Sequence, residues 1–228
     1  MTVNAATRGR LALGIGPAHR PSVERLGLSY EHVARHVREY LSVLRPLIHE
    51  GSVQYEGTVF RVTSTLRIPG AQPCLILLSA LAPLMLQAAG QLADGTITWM
   101  VGQKTLATHI VPRITAAAQA ARRPAPRVAL GVPVAVCDEE QAGRERANRT
   151  FQGYRCLSNY RRMLDLEGVE EPGDVAICGT EAQVERQLRA VAALGATDVL
   201  ATIYPVGEDA PISVARTRTF LKSLVGTL

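Results

Sequence analysis

What this chain has little of narrows its chemistry first. Lysine is nearly absent: Lys104 and Lys222 are the only two among 25 basic residues, which face 20 acidic ones for a net charge of +5. The signs are mixed along the sequence and no run of like charge reaches five or six residues. A nucleic-acid partner is therefore not expected, and the arginine excess reads as a coding bias rather than a binding signal. Aromatic residues make up 4% of the chain, with one tryptophan, so the basic-plus-aromatic pattern that holds single strands is missing too. Cysteines 74, 137, 156 and 178 form no CxxC pair and no Cys/His cluster at metal spacing. No metal site and no disulfide scaffold is expected, and reduced thiols in a cytoplasmic protein fit best. His32 and His36 lie four apart, but Val33 stands where the HExxH motif has its glutamate. The longest apolar run, Cys74 to Leu86, is broken by Pro83 and falls short of the roughly 20 residues that cross a bilayer. The opening MTVNAATRGRLALGIG lacks the continuous apolar stretch of a signal peptide, so no membrane association is expected.

What is present is ample core material. The 228 residues are 47% apolar and 20% charged, enough for one large core or two modest ones, and the absence of a linker makes one domain, 1–228, the simplest division. Short β-rich apolar runs alternate with longer helical patterns, the signature of βα units around a parallel sheet. Strands are expected at Arg10 to Ile15, Cys74 to Ala80, Gly95 to Met100, Arg127 to Val136 and Thr197 to Tyr204, with the chain returning to the core at Val175 to Cys178. Ser29 is expected to cap a long helix that ends at Gly51, with a kink or early stop near Arg45 imposed by Pro46. VQYEGTVFRV, 53–62, reads as an inserted hairpin. Pro83 is placed to start a helix, and Asp138 with Gln141 and Thr180 with Gln183 are spaced as capping boxes. The helices between Asp138 and Glu167 read as excursions outside the core.

The expected architecture is thus α/β with about five βα units, where a closed barrel needs eight. An open dinucleotide-binding sheet is disfavoured, because GIGPAHRP has only the first two glycines of GxGxxG.

Several spaced segments together carry a resemblance: GRLALGIG at 9–16, REYLSVLRPLI at 38–48, the hairpin, ILLSALAPLMLQAAGQLADGTITWM at 76–100 and CGTEAQVERQLRAVAALGATDVL at 178–200. In order and spacing they resemble the luciferase-like monooxygenase superfamily. LADGTITWM followed by HIVPRITAAAQAARRPAPRVALGVPVAV is similar to its actinobacterial branch that uses coenzyme F420 in place of FMN. The resemblance covers about Thr2 to Leu224 and implies an incomplete (βα)8 TIM-type barrel that starts at the family's fourth strand. It implies hydride transfer between F420 and a small organic substrate. FMN-dependent monooxygenation and a shortened, non-catalytic barrel homologue are the alternatives.

By this resemblance Gly14, Ile15 and Gly16 line the cofactor, with Ser79, Ala80 and Leu81 at the next strand end and Thr98 and Trp99 at the one after. Gly14 and Gly16 either admit a flat ring or simply make a tight strand exit. The small residues at 79 and 80, and Trp99 as a pocket wall, are also explained by packing. His19 is the candidate proton donor, since imidazole exchanges protons near neutrality. Gly102 and Lys104 lie where the family often binds an anion. Missing barrel strands would leave strand edges bare, so a homodimer or larger oligomer that covers them, or a truncation of a longer gene product, is expected.

Overall fold

The structure, a computed structural model, describes residues 1–227; Leu228, the last residue of the single-domain range, lies outside them. In chain order the elements are α1 (Thr2–Ala6), β1 (Ala12–Ile15), α2 (Arg20–Arg25), α3 (Val33–His49), β2 (Ser52–Glu56), β3 (Arg61–Thr65), β4 (Leu75–Ser79), α4 (Pro83–Leu92) and β5 (Gly95–Trp99). There follow α5 (Gln103–Thr105), a π-helical turn (Leu106–Ile110), α6 (Val111–Ala120), β6 (Arg127–Val136), α7 (Glu140–Phe151), α8 (Ser158–Glu167), β7 (Ile177–Gly179), α9 (Glu181–Ala193), β8 (Asp198–Ile203) and α10 (Ala210–Ser223). The result is an α/β fold built on parallel strands, with β2 and β3 as a separate antiparallel hairpin. Six strands are parallel where five βα units are expected, because Ile177–Gly179, three residues long and too short to show a period, is itself a strand. No helix among the described residues is long and apolar enough to cross a membrane.

The chain groups into two compact units, residues 1–97 with 113–127, and residues 98–112 with 128–228. In the first, β4 is central: β1 pairs along one side, Ala12 to Ile15 against Leu75 to Leu78, and β5 along the other, Leu77 to Ser79 against Gly95 to Ile97. Alternation then sorts the side chains. Ile76, Leu78 and Thr96 are fully buried on one face, and the Thr96 hydroxyl donates to the Leu78 carbonyl at 2.8 Å. The helices α3 and α4 pack together and contribute buried Val37, Leu41, Met85 and Leu86. At Gly90 a Cβ would lie 2.5 Å from the Ile114 carbonyl oxygen, so a residue without one lets α4 and α6 approach closely. At the N-terminal end of β5, Asp94 accepts the Ile76 N–H at 2.8 Å and is ion-paired with Arg45 and Arg123, each at 2.9 Å.

In the second unit the ten-residue β6 is the organising strand. Its C-terminal part pairs with β7, Val134 to Val136 against Ile177 to Gly179, and Ala129 to Val134 pair with Asp198 to Ile203 of β8. Val128, Leu130, Val132 and Val134 are buried along it, and α9 contributes Val184, Leu188 and Val191. The Thr180–Gln183 capping box that starts α9 is formed.

Four local expectations are corrected. The Ser29 hydroxyl accepts the Glu31 N–H in a turn, and the helix starts later, at Val33, after His32 in the left-handed region. Pro46 does not stop that helix, which runs on to His49, because Pro46 sits in the last turn and its carbonyl accepts the closing N–H groups of Glu50 and Gly51. Asp138 does not cap α7; its carboxylate pairs with Arg216 at 2.8 Å, and Gln141 bonds Glu145 instead. The 138–167 segment is also no mere excursion, since Ala147, Phe151, Tyr160, Met163 and Leu164 are all buried.

Candidate functional site

In parallel α/β folds the strand C-termini are where main-chain groups and loops converge on ligands. In the first unit this end is built on GIGPA. Gly14 pairs with Leu77 and Ile15 with Leu78, which brings Gly16 beside Ser79. A Cβ at Gly14 would lie 2.9 Å from Ile97 Cδ1, and one at Gly16 would lie 3.0 Å from Ser79 Cβ. Neither glycine has a left-handed φ, so what each supplies is room, not conformational freedom. The two readings of these glycines therefore meet: neighbouring side chains require them, and their absent side chains leave the end of β1 flat.

That flat wall bounds an apolar cavity of about 680 Å³, whose lining includes Gly14, Ile15, Gly16, Ala18, Tyr30 and His36. Ala18 has φ +58°, a left-handed conformation costing a non-glycine residue about 1–2 kcal/mol. The loop is strapped there: the Tyr30 hydroxyl donates to the Ala18 carbonyl at 2.9 Å, and the Arg20 guanidinium lies 5.1 Å from the Tyr30 ring centre. Partial burial pushes the Tyr30 phenol up, against the opposing pull of Arg20, so it stays a hydrogen-bond donor. His19 follows Ala18 as the residue preceding α2, and its carbonyl accepts the Ser22 and Val23 N–H groups. His36 meets Phe60 of the hairpin edge to face at 5.0 Å. At the end of β4, Ser79 is exposed, whereas Ala80 and Leu81 are buried before α4 begins at Pro83.

In the second unit Thr98 and Trp99 end β5. The Thr98 hydroxyl and the Trp99 indole Nε1 are both buried without a hydrogen-bond partner among the described residues. A buried donor left unpaired costs about 1–3 kcal/mol. Met100, fully buried, follows with φ +55°, which for a bulky side chain adds about 1–3 kcal/mol of strain. Trp99 faces Phe151 and Tyr154, ring centres 5.8 and 5.6 Å away. Those partners, like Tyr30, were not legible as site residues, because they come from segments whose own patterns are those of polar helices and loops.

Lys104 is exposed and lies against α8. Its Nζ lies 3.5 Å from the Glu167 carbonyl, and the main-chain N–H groups of Lys104 and Thr105 donate to the Glu167 carboxylate at 3.0 and 2.7 Å. An acidic side chain from α8 thus already occupies the start of α5.

Comparison with known proteins adds four findings. A 5,10-methylenetetrahydromethanopterin reductase of Archaeoglobus fulgidus is 34% identical over 98 residues, which is 42% of this chain and 29% of the reductase, under a third of its length. The coenzyme F420-dependent tetrahydromethanopterin reductase of Methanopyrus kandleri shares the fold with a TM-score of 0.70 at 20% identity, covering 93% of this chain and 74% of that one. The oxygenating constituent of 3,6-diketocamphane monooxygenase of Pseudomonas putida, solved with FMN, gives a TM-score of 0.65 at 16% identity over 94% of this chain and 70% of its own. The profile of the luciferase-like monooxygenase family matches residues 1–224. With nearly the whole sequence matched and the parallel-strand fold shared, the chain belongs to the luciferase-like monooxygenase family.

Proposed function

We propose that this chain binds coenzyme F420 and passes a hydride between it and a small organic substrate. The observation that carries the reading is the flat glycine wall of β1 opening on an apolar cavity of about 680 Å³ at the C-terminal end of parallel strands. Support for F420 comes from the two reductases, one of them named as F420-dependent.

The residues suit a planar ring. Gly14 and Gly16 allow close approach along β1, and Tyr30 and His36 stand on the cavity wall. The deazaflavin ring supplies the hydride-carrying carbon, chemistry the twenty side chains lack. The chain's own part is to bind, orient and keep the site dry. Gly14, Ile15 and Gly16, with Ser79, Ala80 and Leu81, are assigned to the cofactor. His19, one residue beyond the cavity wall at Ala18, is assigned the proton that balances hydride transfer, at its imidazole nitrogen. His19→Gln is expected to lower kcat by about 10²-fold with KM little changed. An unchanged kcat removes His19 from the mechanism.

FMN is the second reading, favoured by the Pseudomonas putida neighbour solved with that cofactor. Equilibrium titration of the purified chain with F420 and with FMN separates the two. Micromolar F420 binding with hydride exchange is the expected result. FMN binding alone moves the assignment to a monooxygenase, and binding of neither, with the fold intact, leaves a non-catalytic barrel homologue. The same reading takes the parallel strands as the later part of a (βα)8 barrel and the protein as a homodimer in which a second copy covers β1. Among the described residues, β1 pairs with β4 alone.

A further inference from the structure

The cavity beside GIGPA lies wholly within the first unit, and its lining is selective about charge. The chain has 25 lysines and arginines, yet among the described residues none of them lines this cavity. Arg20, which touches Tyr30, is ion-paired with Glu24 at 2.8 Å. A carboxylate or phosphate ester entering the cavity would give up water, meet no lysine or arginine in the lining and lie near the Glu31 carboxylate. An organic cation gains little from Glu31, because that side chain is exposed and its charge is screened by water.

Away from the glycines, large apolar and aromatic surface is left bare. Leu28 is 60% exposed and Tyr40 41%, and both line the cavity. Aromatic and aliphatic surface exposed in a concavity is what a ligand covers. This part of the wall is also held from outside the cavity. His36 and Tyr40, one turn apart on α3, both meet Phe60 of the hairpin, with ring centres 5.0 and 6.2 Å away. Phe60 does not line the cavity. It is fixed to the same turn of α3 by Glu39, whose carboxylate accepts the Thr58, Val59 and Phe60 N–H groups. The hairpin thus sets the two rings before any ligand arrives, as preorganisation of a binding wall requires.

We propose that the substrate of this site is an uncharged, largely apolar molecule held against Tyr40 and His36, and that Phe60 is a positioning residue for those two side chains. The inference rests on the cofactor-binding reading above and deepens it by naming the substrate class.

Three probes of one shape and different charge test it: acetophenone, benzoate and benzylammonium, each titrated calorimetrically into the full chain carrying F420, whose own binding is followed separately by absorbance. Acetophenone is expected to bind more than tenfold tighter than either ion. Tyr40→Ala is expected to weaken acetophenone about threefold to tenfold, and Phe60→Ala to do the same with F420 affinity unchanged and with recovery in Phe60→Tyr. Benzoate or benzylammonium binding as tightly as acetophenone overturns the substrate class, as does acetophenone binding that is indifferent to Tyr40→Ala. Phe60→Ala weakening F420 as much as acetophenone, or no recovery in Phe60→Tyr, removes the positioning role. Should the variants fail to fold, the order of the three probes on the wild-type chain decides the substrate class. Binding of F420 with none of the probes held overturns the inference while the proposed function stands; if F420 itself does not bind, the proposed function fails and the inference falls with it.

Discussion

At Gly16 one missing methyl group separates a flat strand end from a filled one. Its neighbour there is Ser79 Cβ, which is tied to the backbone and cannot swing away, whereas the neighbour of Gly14 is the movable tip of Ile97. Gly16→Val is therefore expected to lose about 1–3 kcal/mol of stability by overpacking and to weaken F420 binding more than tenfold. Gly14→Ala is expected to lose less of both. Thermal unfolding and cofactor titration on the two variants check the order, and equal effects would show that the wall is not what binds. Asp94 poses a different case. Burial alone would raise its carboxyl, but the Ile76 N–H and the guanidiniums of Arg45 and Arg123 outweigh it and hold the group below the ordinary carboxylate range. A depressed folded value means that its stabilisation is complete above the unfolded pKa, about 3.9, and is lost as pH falls through the folded one. Asp94→Asn should cost about 2–3 kcal/mol at neutral pH by leaving two arginines uncompensated, and the gap between variant and wild type should close in acid. Denaturant unfolding from pH 7 to pH 2 measures it. The GIG pattern was visible in the sequence. The roles of Ser79, Ile97 and Arg123 were not, because each depends on a contact with a residue distant along the chain.

The hairpin shows how an element can be legible while its anchor is not. VQYEGTVFRV announces two short arms around Glu56 and Gly57, and β2 and β3 pair as read, with Ser52 against Thr65 through Glu56 against Arg61. What ties the turn down is Glu39 on α3, whose carboxylate accepts the N–H groups of Thr58, Val59 and Phe60 at 3.1, 2.7 and 3.0 Å. Desolvation pushes this carboxyl up, the three main-chain donors more than offset it, and the net result is a group held below its ordinary range. A Cβ at Gly57 would overlap the Glu39 carboxylate, so the glycine belongs to the same device. Glu39→Gln is expected to speed amide exchange at Thr58, Val59 and Phe60 while α4 and β4 keep their protection, and hydrogen exchange read by NMR tests it. The sequence shows Glu39 only as one more charge on a helix. The same blindness explains Ser29 and Asp138, where a nearby N–H and a distant arginine took the oxygen that a helix start was expected to use. At α5 the device recurs: the Glu167 carboxylate takes the main-chain donors, and a Cβ at Gly102 would collide with it.

For the whole molecule, the alternation of strands and helices was readable because buried parallel strands are continuously apolar, as β4 and β6 are. The strand count was not, since β7 is three residues long. How the strands are finished at their outer edge bears on association. Among the described residues β1 has β4 on one side and no strand on the other, and an open strand edge is a template for another chain unless charge, proline or a covering element blunts it. The residues of β1, Ala12, Leu13, Gly14 and Ile15, carry no charge that would do so. Exposed Leu26 and Leu28 follow α2, the latter on the cavity wall beside Gly14 to Ala18. A dimer built on this edge predicts a solution mass near twice the 24.5 kDa of the chain, falling on dilution. Ala12 is exposed, and Ala12→Lys places a blunting charge on the edge without entering the core. Light scattering is expected to show that variant shifted towards monomer with its circular dichroism unchanged. A wild-type chain that stays soluble at the monomer mass into the high micromolar range would mean that no second copy covers β1.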